Sequence, residues 1–168
     1  MTDPSALRWG HININVSSLE ASIRFYELLG FSVFLPGIPY IGIRREKPGK
    51  LSAGEAAALG MPEDIRARAC IMQLGDSYPK LDLMEIEHSS QAREPLTSAD
   101  RGLVRFCLGT TDLMAEYERL TNAGVSFLTP PENCDNDMAS IALCTDPDGT
   151  LIELIELNRR RWEQDQQA

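Results

Sequence analysis

Four short stretches carry side chains able to hold an ion, move a proton or clamp an anion. In His11-Ile12-Asn13-Ile14-Asn15-Val16 polar and apolar residues alternate strictly, the period of a strand with one face toward a core and one away from it. His11, Asn13 and Asn15 then share one face, opposite Ile12, Ile14 and Val16. Residues 105–109 alternate in the same way, with Arg105, Cys107 and Gly109 opposite Phe106 and Leu108. Leu81-Asp82-Leu83-Met84-Glu85 and Ile152-Glu153-Leu154-Ile155-Glu156 match in alternation and in acid placement, so that Asp82 corresponds to Glu153. A face that gathers His11, Asn13, Asn15, Asp82 and Glu153 collects five polar groups, which are costly to hold in a pocket without a partner.

The elements that must position these residues repeat along the chain. Residues 9–31 read as a strand, then a capping box Ser17-x-x-Glu20, then a helix through Leu29 that Gly30 can end. Ile23, Tyr26 and Leu29 or Phe25 supply its apolar stripe. Residues 103–125 follow the same plan, with Leu19, Ala21 and Gly30 matched by Leu113, Ala115 and Gly124 at one constant offset. Near the end, Asp146-Pro147-Asp148-Gly149 is a turn with proline second and glycine fourth, joining strands near 138–145 and 150–157 into a hairpin. Each half therefore reads strand, helix, then three strands. A repeat this long is a duplicated supersecondary unit rather than a solenoid.

The fold class expected is α+β: two βαβββ modules forming a curved mixed sheet around a concave pocket, with helices outside. The 1–168 chain reads as a single domain of two modules, 9–88 and 102–157, joined near 89–101, with a C-terminal tail at 158–168. The first module is longer because of an insertion at 37–65. It combines loop chemistry (Pro36-Gly37, Pro39, Lys47-Pro48-Gly49) with a capped Ala-rich helix at 53–59 that opens on Ser52-x-x-Glu55. A lid and a plain surface excursion are the two roles open to it.

Composition excludes several functions. With 43% hydrophobic and 24% charged residues the chain is of globular type. A net charge of −9 speaks against nucleic acid as a partner, and no apolar run is long enough for a membrane span. Arg159-Arg160-Arg161 beside Glu163 and Asp165 reads as a solvated helix face. The four cysteines form no C-x-x-C pair, and Cys70, Cys107 and Cys144 lie in apolar strand-like runs, which suits small buried hydrophobes in a cytoplasmic setting.

The Gly10-His11-Ile12 strand followed by Ser18-Leu19-Glu20-Ala21-Ser22-Ile23-Arg24-Phe25-Tyr26-Glu27-Leu28-Leu29-Gly30-Phe31 resembles the start of a vicinal oxygen chelate module. Asp146-Pro147-Asp148-Gly149-Thr150-Leu151-Ile152-Glu153-Leu154 resembles the close of its second module. With the internal repeat, the resemblance to this superfamily (glyoxalase I, bleomycin resistance, dioxygenase) spans about residues 9–157. It implies a small-molecule ligand and a homodimer. It also implies four positions converging on one divalent ion, which in this chain are His11, Asp82, Arg105 and Glu153. A metal set would be His11, Asp82 and Glu153, because a guanidinium is all donors and cannot ligate.

Two functions follow. In the first, one divalent ion (Zn, Ni, Mn, Co or Fe) serves a lyase or isomerase of the glyoxalase I or epimerase type, acting by proton transfer next to a carbonyl. Glu153 and Arg105 would be catalytic, and Arg105, Asn13 and Asn15 would bind a small, anionic, oxygen-rich metabolite. In the second, Arg105 bridges Asp82 and Glu153, no metal is held, and the protein sequesters a small molecule without catalysis. Glu85 and Glu156 read as solvated strand-edge residues on the helix side. His88 reads as a surface residue, and Trp9, Tyr40 and Phe127 as core aromatics.

Overall fold

The computed structural model describes residues 7–87, 94–134 and 137–165. The chain divides into two compact units, residues 1–92 and 93–168. The α+β class is as expected.

The first unit runs β1 (His11–Asn15), α1 (Leu19–Leu28), β2 (Phe31–Leu35), β3 (Gly37–Ile38), β4 (Ile43–Arg44), β5 (Gly49–Lys50), α2 (Ala53–Ala58), β6 (Arg66–Leu74) and β7 (Lys80–Ile86). Its main sheet has the order β1-β7-β6-β2, with β5 also paired to β6. The second unit runs β8 (Arg105–Thr110), α3 (Leu113–Asn122), β9 (Phe127–Asn133), β10 (Ala139–Thr145), β11 (Leu151–Leu157) and α4 (Arg159–Asp165), with the order β8-β11-β10-β9. Both sheets thus place the first strand beside the last, then the strand before the last, then the strand that follows the first helix. In each, the first and last strands pair in parallel and the others antiparallel. Ile12 lies opposite Leu81 and Phe106 opposite Ile152, so residues 12 and 106 occupy equivalent strands.

Local chemistry explains each helix. In α1 the N-cap is Ser18, not Ser17: its Oγ accepts the Ala21 N–H at 3.4 Å, while Glu20 turns away to a bidentate pair with Arg45. In α3 the N-cap is Asp112, whose Oδ1 accepts the Ala115 N–H at 2.9 Å. Both helices end where a glycine takes the left-handed conformation, Gly30 and Gly124 each at φ +91°. A side chain there would be strained.

Glu85 and Glu156 are not solvated edge residues. Glu85 Oε2 accepts the Leu19 N–H at 2.6 Å, and Glu156 Oε2 accepts the Leu113 N–H at 2.8 Å. Each last strand therefore closes the N-terminus of its own unit's helix, where exposed N–H groups and the helix dipole favour negative charge. Sequence parity places both acids on the helix side correctly. The purpose of that placement appears only once strand and helix are docked.

The insertion is a built part of the first unit. Its Ile38, Ile41, Ile43, Leu51 and Ala56 pack on Ala67, Ala69, Ile71 and Met84 of the sheet as a second core, on the face away from α1. The Ser52–Glu55 capping box forms as expected, each residue bonding the other's backbone N–H. The Asp146–Gly149 turn also forms, with Gly149 at φ +88° and Asp146 Oδ1 accepting the N–H groups of Asp148 and Thr150. His88 and residues 89–93 of the expected 89–101 connection lie outside the described residues. The tail forms α4, with Arg159 and Arg160 exposed.

Burial raises the pKa of Glu85, but Arg68 and the Leu19 N–H outweigh it, holding the carboxyl below its ordinary 4.5. Glu85 therefore adds stability above the ordinary carboxylate range, and that stability is lost as pH falls through its lowered folded value. Glu85→Gln should cost about 1 kcal/mol at pH 7, lowering the melting temperature by roughly 2–4 °C. The gap to wild type should close on acidification. Equal melting curves at pH 7 would show that the cap carries no weight.

Candidate functional site

In the first unit, β1 and β7 run side by side with Asn13 opposite Asp82. The strand alternation that sends Ile14 and Val16 into the α1-side core leaves His11, Asn13 and Asn15 exposed on the other face. His11 Nε2 stands 3.8 Å from Asp82 Oδ2, and Asn13 Nδ2 donates to the Asp82 carbonyl at 3.4 Å. Asp82 is buried, and its Oδ1 has no hydrogen-bond partner. Burial pushes its carboxyl above the ordinary range, and His11 and Asn13 offset this only in part. Tyr40, carried by the insertion, feels the Asp82 charge: burial, then that charge, raises its phenol above the ordinary value.

In the second unit, the equivalent β8 and β11 place Cys107 opposite Glu153. Arg105 Nε donates to Glu153 Oε2 at 2.6 Å, with the Arg105 side chain 39% and the Glu153 side chain 15% exposed. Arg105 and Glu153 thus sit at the same ladder positions as His11 and Asp82. One half holds a loose imidazole–carboxylate contact and the other a close ion pair.

Cys107 is exposed, not a buried hydrophobe. Burial, then the hydrogen bond to Glu153, pushes its thiol up to about 11. A thiol so held is a weak nucleophile at neutral pH. The bland reading holds for Cys70 and Cys144, which are buried. Of the aromatics, Trp9 and Tyr40 are exposed rather than core, whereas Phe127 packs edge-on against Tyr117 at 4.7 Å.

A sequence profile of the Glyoxalase/Bleomycin resistance protein/Dioxygenase superfamily matches residues 8–154. The chain belongs to that superfamily. Among solved structures, a glyoxalase family protein from Bacillus cereus is similar with a TM-score of 0.72 and 18% identity, over 94% of this chain and 98% of the other. A superfamily member from Sphaerobacter thermophilus gives a TM-score of 0.59 at 21% identity, covering 89% and 98%. The trypanothione-dependent glyoxalase I of Leishmania major gives 0.58 at 20% identity, covering 96% and 94%. No protein of curated function matches the sequence. Identities this low carry the fold and not the chemistry.

Superfamily members often bind a divalent metal. The first unit fits in part: the His11–Asp82 pair offers two donors, and Asp82 Oδ1 is without a partner. The second unit does not fit, because Arg105 cannot ligate and already holds the Glu153 carboxylate. Among the described residues no group of three or more His, Cys, Asp or Glu side chains could hold a metal ion. The family's four-ligand set is not reproduced.

The raised folded pKa of Asp82 means that folding favours its protonated form more than the unfolded chain does. Its stabilising contribution is complete below the ordinary 3.8 and is lost as pH rises through the folded value. Asp82→Asn should therefore stabilise the protein at pH 7, by about 1–3 kcal/mol, with the advantage shrinking as pH falls through the raised folded value and gone below the ordinary 3.8. A variant that melts below wild type at pH 7 would show that the ionised carboxylate has a partner there.

Proposed function

We propose that this superfamily member binds a small, oxygen-rich, anionic molecule without a resident metal, its Arg105–Glu153 pair standing where the family places half of a metal centre. The 2.6 Å contact between Arg105 and Glu153 supports this most directly. A guanidinium with further N–H donors beyond the one on Glu153 can clamp a carboxylate or an enolate oxygen. Asn13 and Asn15, exposed on β1, offer amide groups for ligand oxygens. In this reading Asp82 is a buried acid whose carboxyl is held above its ordinary range, with Oδ1 open to a ligand donor.

A metal-assisted lyase or isomerase is the second reading, and one observation favours it: Asp82 Oδ1 is unpartnered beside His11. The two readings separate in thermal melts with zinc, nickel and manganese. The binding reading expects an indifferent wild type. It also expects a metal response in Arg105→His, which releases Glu153 and sets an imidazole beside that carboxylate and Cys107. Since Arg105 is well exposed, the substitution itself should cost only about 1 kcal/mol. A wild type that gains several degrees with one metal overturns the metal-free reading in favour of the enzyme.

Assembly is proposed as homodimeric, supported by the superfamily, whose members often dimerise, and by β1 and β8 each ending its sheet's strand order among the described residues. Light scattering at micromolar concentration should give twice the chain mass. A particle of single-chain mass would contradict the dimer.

A further inference from the structure

Lys80 is a charge that the binding reading leaves unused. It opens β7 two residues before Asp82, hence on the same sheet face, and lies opposite His11 in the parallel ladder. The residue is 6% exposed, yet no carboxylate lies within ion-pair distance of its ammonium among the described residues. Its Nζ donates to Gln73 Oε1 at 2.9 Å and stands 4.9 Å from the centre of the Phe34 ring and 4.7 Å from that of Tyr78.

Three facts together point beyond a structural role. An ammonium has three N–H donors, and one neutral amide oxygen satisfies only one of them. Attraction to ring faces offsets part of the cost of taking the charge out of water, but it is weaker than a counter-ion. The rings themselves are open: Phe34 is 46% and Tyr78 61% exposed. Trp9, also exposed, precedes Gly10, whose carbonyl accepts the Lys80 N–H at 3.0 Å. A buried cation without an anion thus lies beneath aromatic surface that faces solvent.

We infer that Lys80 binds the carboxylate of an aromatic or otherwise apolar acid, whose apolar part rests on Phe34 and Tyr78. Gln73 aims the ammonium, and the rings exclude water from the ion pair, which strengthens it. This assignment rests on the binding reading and narrows its ligand class to acids with an apolar body.

The test is a titration of the full chain, observed through its amide resonances, with benzoate, its neutral analogue benzamide, and acetate. Benzoate should give saturable shifts centred on Gln73, Lys80 and Leu81. Benzamide and acetate should each bind at least about tenfold more weakly, the value of one charge-assisted hydrogen bond or one well-covered ring. Lys80→Met should keep its fold, since methionine suits the space between two rings, and should lose benzoate by at least about tenfold. Lys80→Arg should retain it within about threefold. Tyr78→Leu keeps the ammonium and guards against a misfolded Lys80 variant; it should erase the preference for benzoate over acetate while acetate still binds.

Benzoate binding equally tight in Lys80→Met, equal binding of benzoate and benzamide, or an unchanged preference in Tyr78→Leu would each overturn the assignment. Benzoate shifts at Arg105 alone would overturn it while leaving the binding reading intact. A wild-type metal response in the melts would remove the metal-free reading without touching Lys80.

Discussion

Each half of the chain depends on a carboxylate from its last strand closing the first turn of its helix. Glu85 on Leu19 and Glu156 on Leu113 are short bonds to N–H groups that would otherwise lack an acceptor. They fix which sheet face the helix covers. Asp82 and Glu153 each lie three residues earlier on the same strands, and in an extended chain an odd offset means the opposite face. The docking that buries the helix thus also sends the second acid of each strand away from it. In the first unit, Arg68 pairs with Glu85, and the Glu20–Arg45 pair ties α1 to the insertion. The same strand-to-helix joint is therefore held at several points.

On this shared frame the two units diverge in charge. At equivalent positions the first unit holds His11 and Asp82, 3.8 Å apart, and the second Arg105 and Glu153, 2.6 Å apart. An imidazole can give a lone pair to an ion; a guanidinium cannot, and it neutralises the carboxylate it touches. The two units therefore share one strand geometry while their side chains at these positions do different chemistry. Family membership carries the topology to this chain, while the ligand chemistry has to be argued from its own residues.

The insertion shows how function and stability share one surface. By packing Ile38, Ile41, Ile43 and Leu51 on the sheet, it adds several buried aliphatic side chains, each worth about 1.5–3 kcal/mol when fully buried. The same packing brings Tyr40 within electrostatic reach of Asp82. Two residues before Asp82, Lys80 is covered instead by the exposed rings of Phe34 and Tyr78. A single strand thus presents a buried acid, an unpaired buried cation and part of an aliphatic core along one face.

Much of the fold was legible because it rests on local periodicity. Alternation in residues 11–16 and 105–109, the constant offset from Leu19 to Leu113, and the Asp146–Gly149 turn determined the two βαβββ units and the faces of His11, Asp82, Arg105 and Glu153. The Ser52–Glu55 cap was equally readable, since both partners lie within one helical turn. What the tertiary structure decided were contacts between residues far apart in sequence. Ser18 rather than Ser17 is the cap, and Glu20 pairs with Arg45 instead of closing a capping box. Glu85 and Glu156 became caps once strand met helix, and Cys107 took its place beside Glu153 on an open face. Lys80 gave no signal in a linear reading, because its meaning lies in Phe34, Gln73 and Tyr78, which converge on it from other strands and loops. Periodicity says which way a side chain points, and only the packed chain says what it meets there.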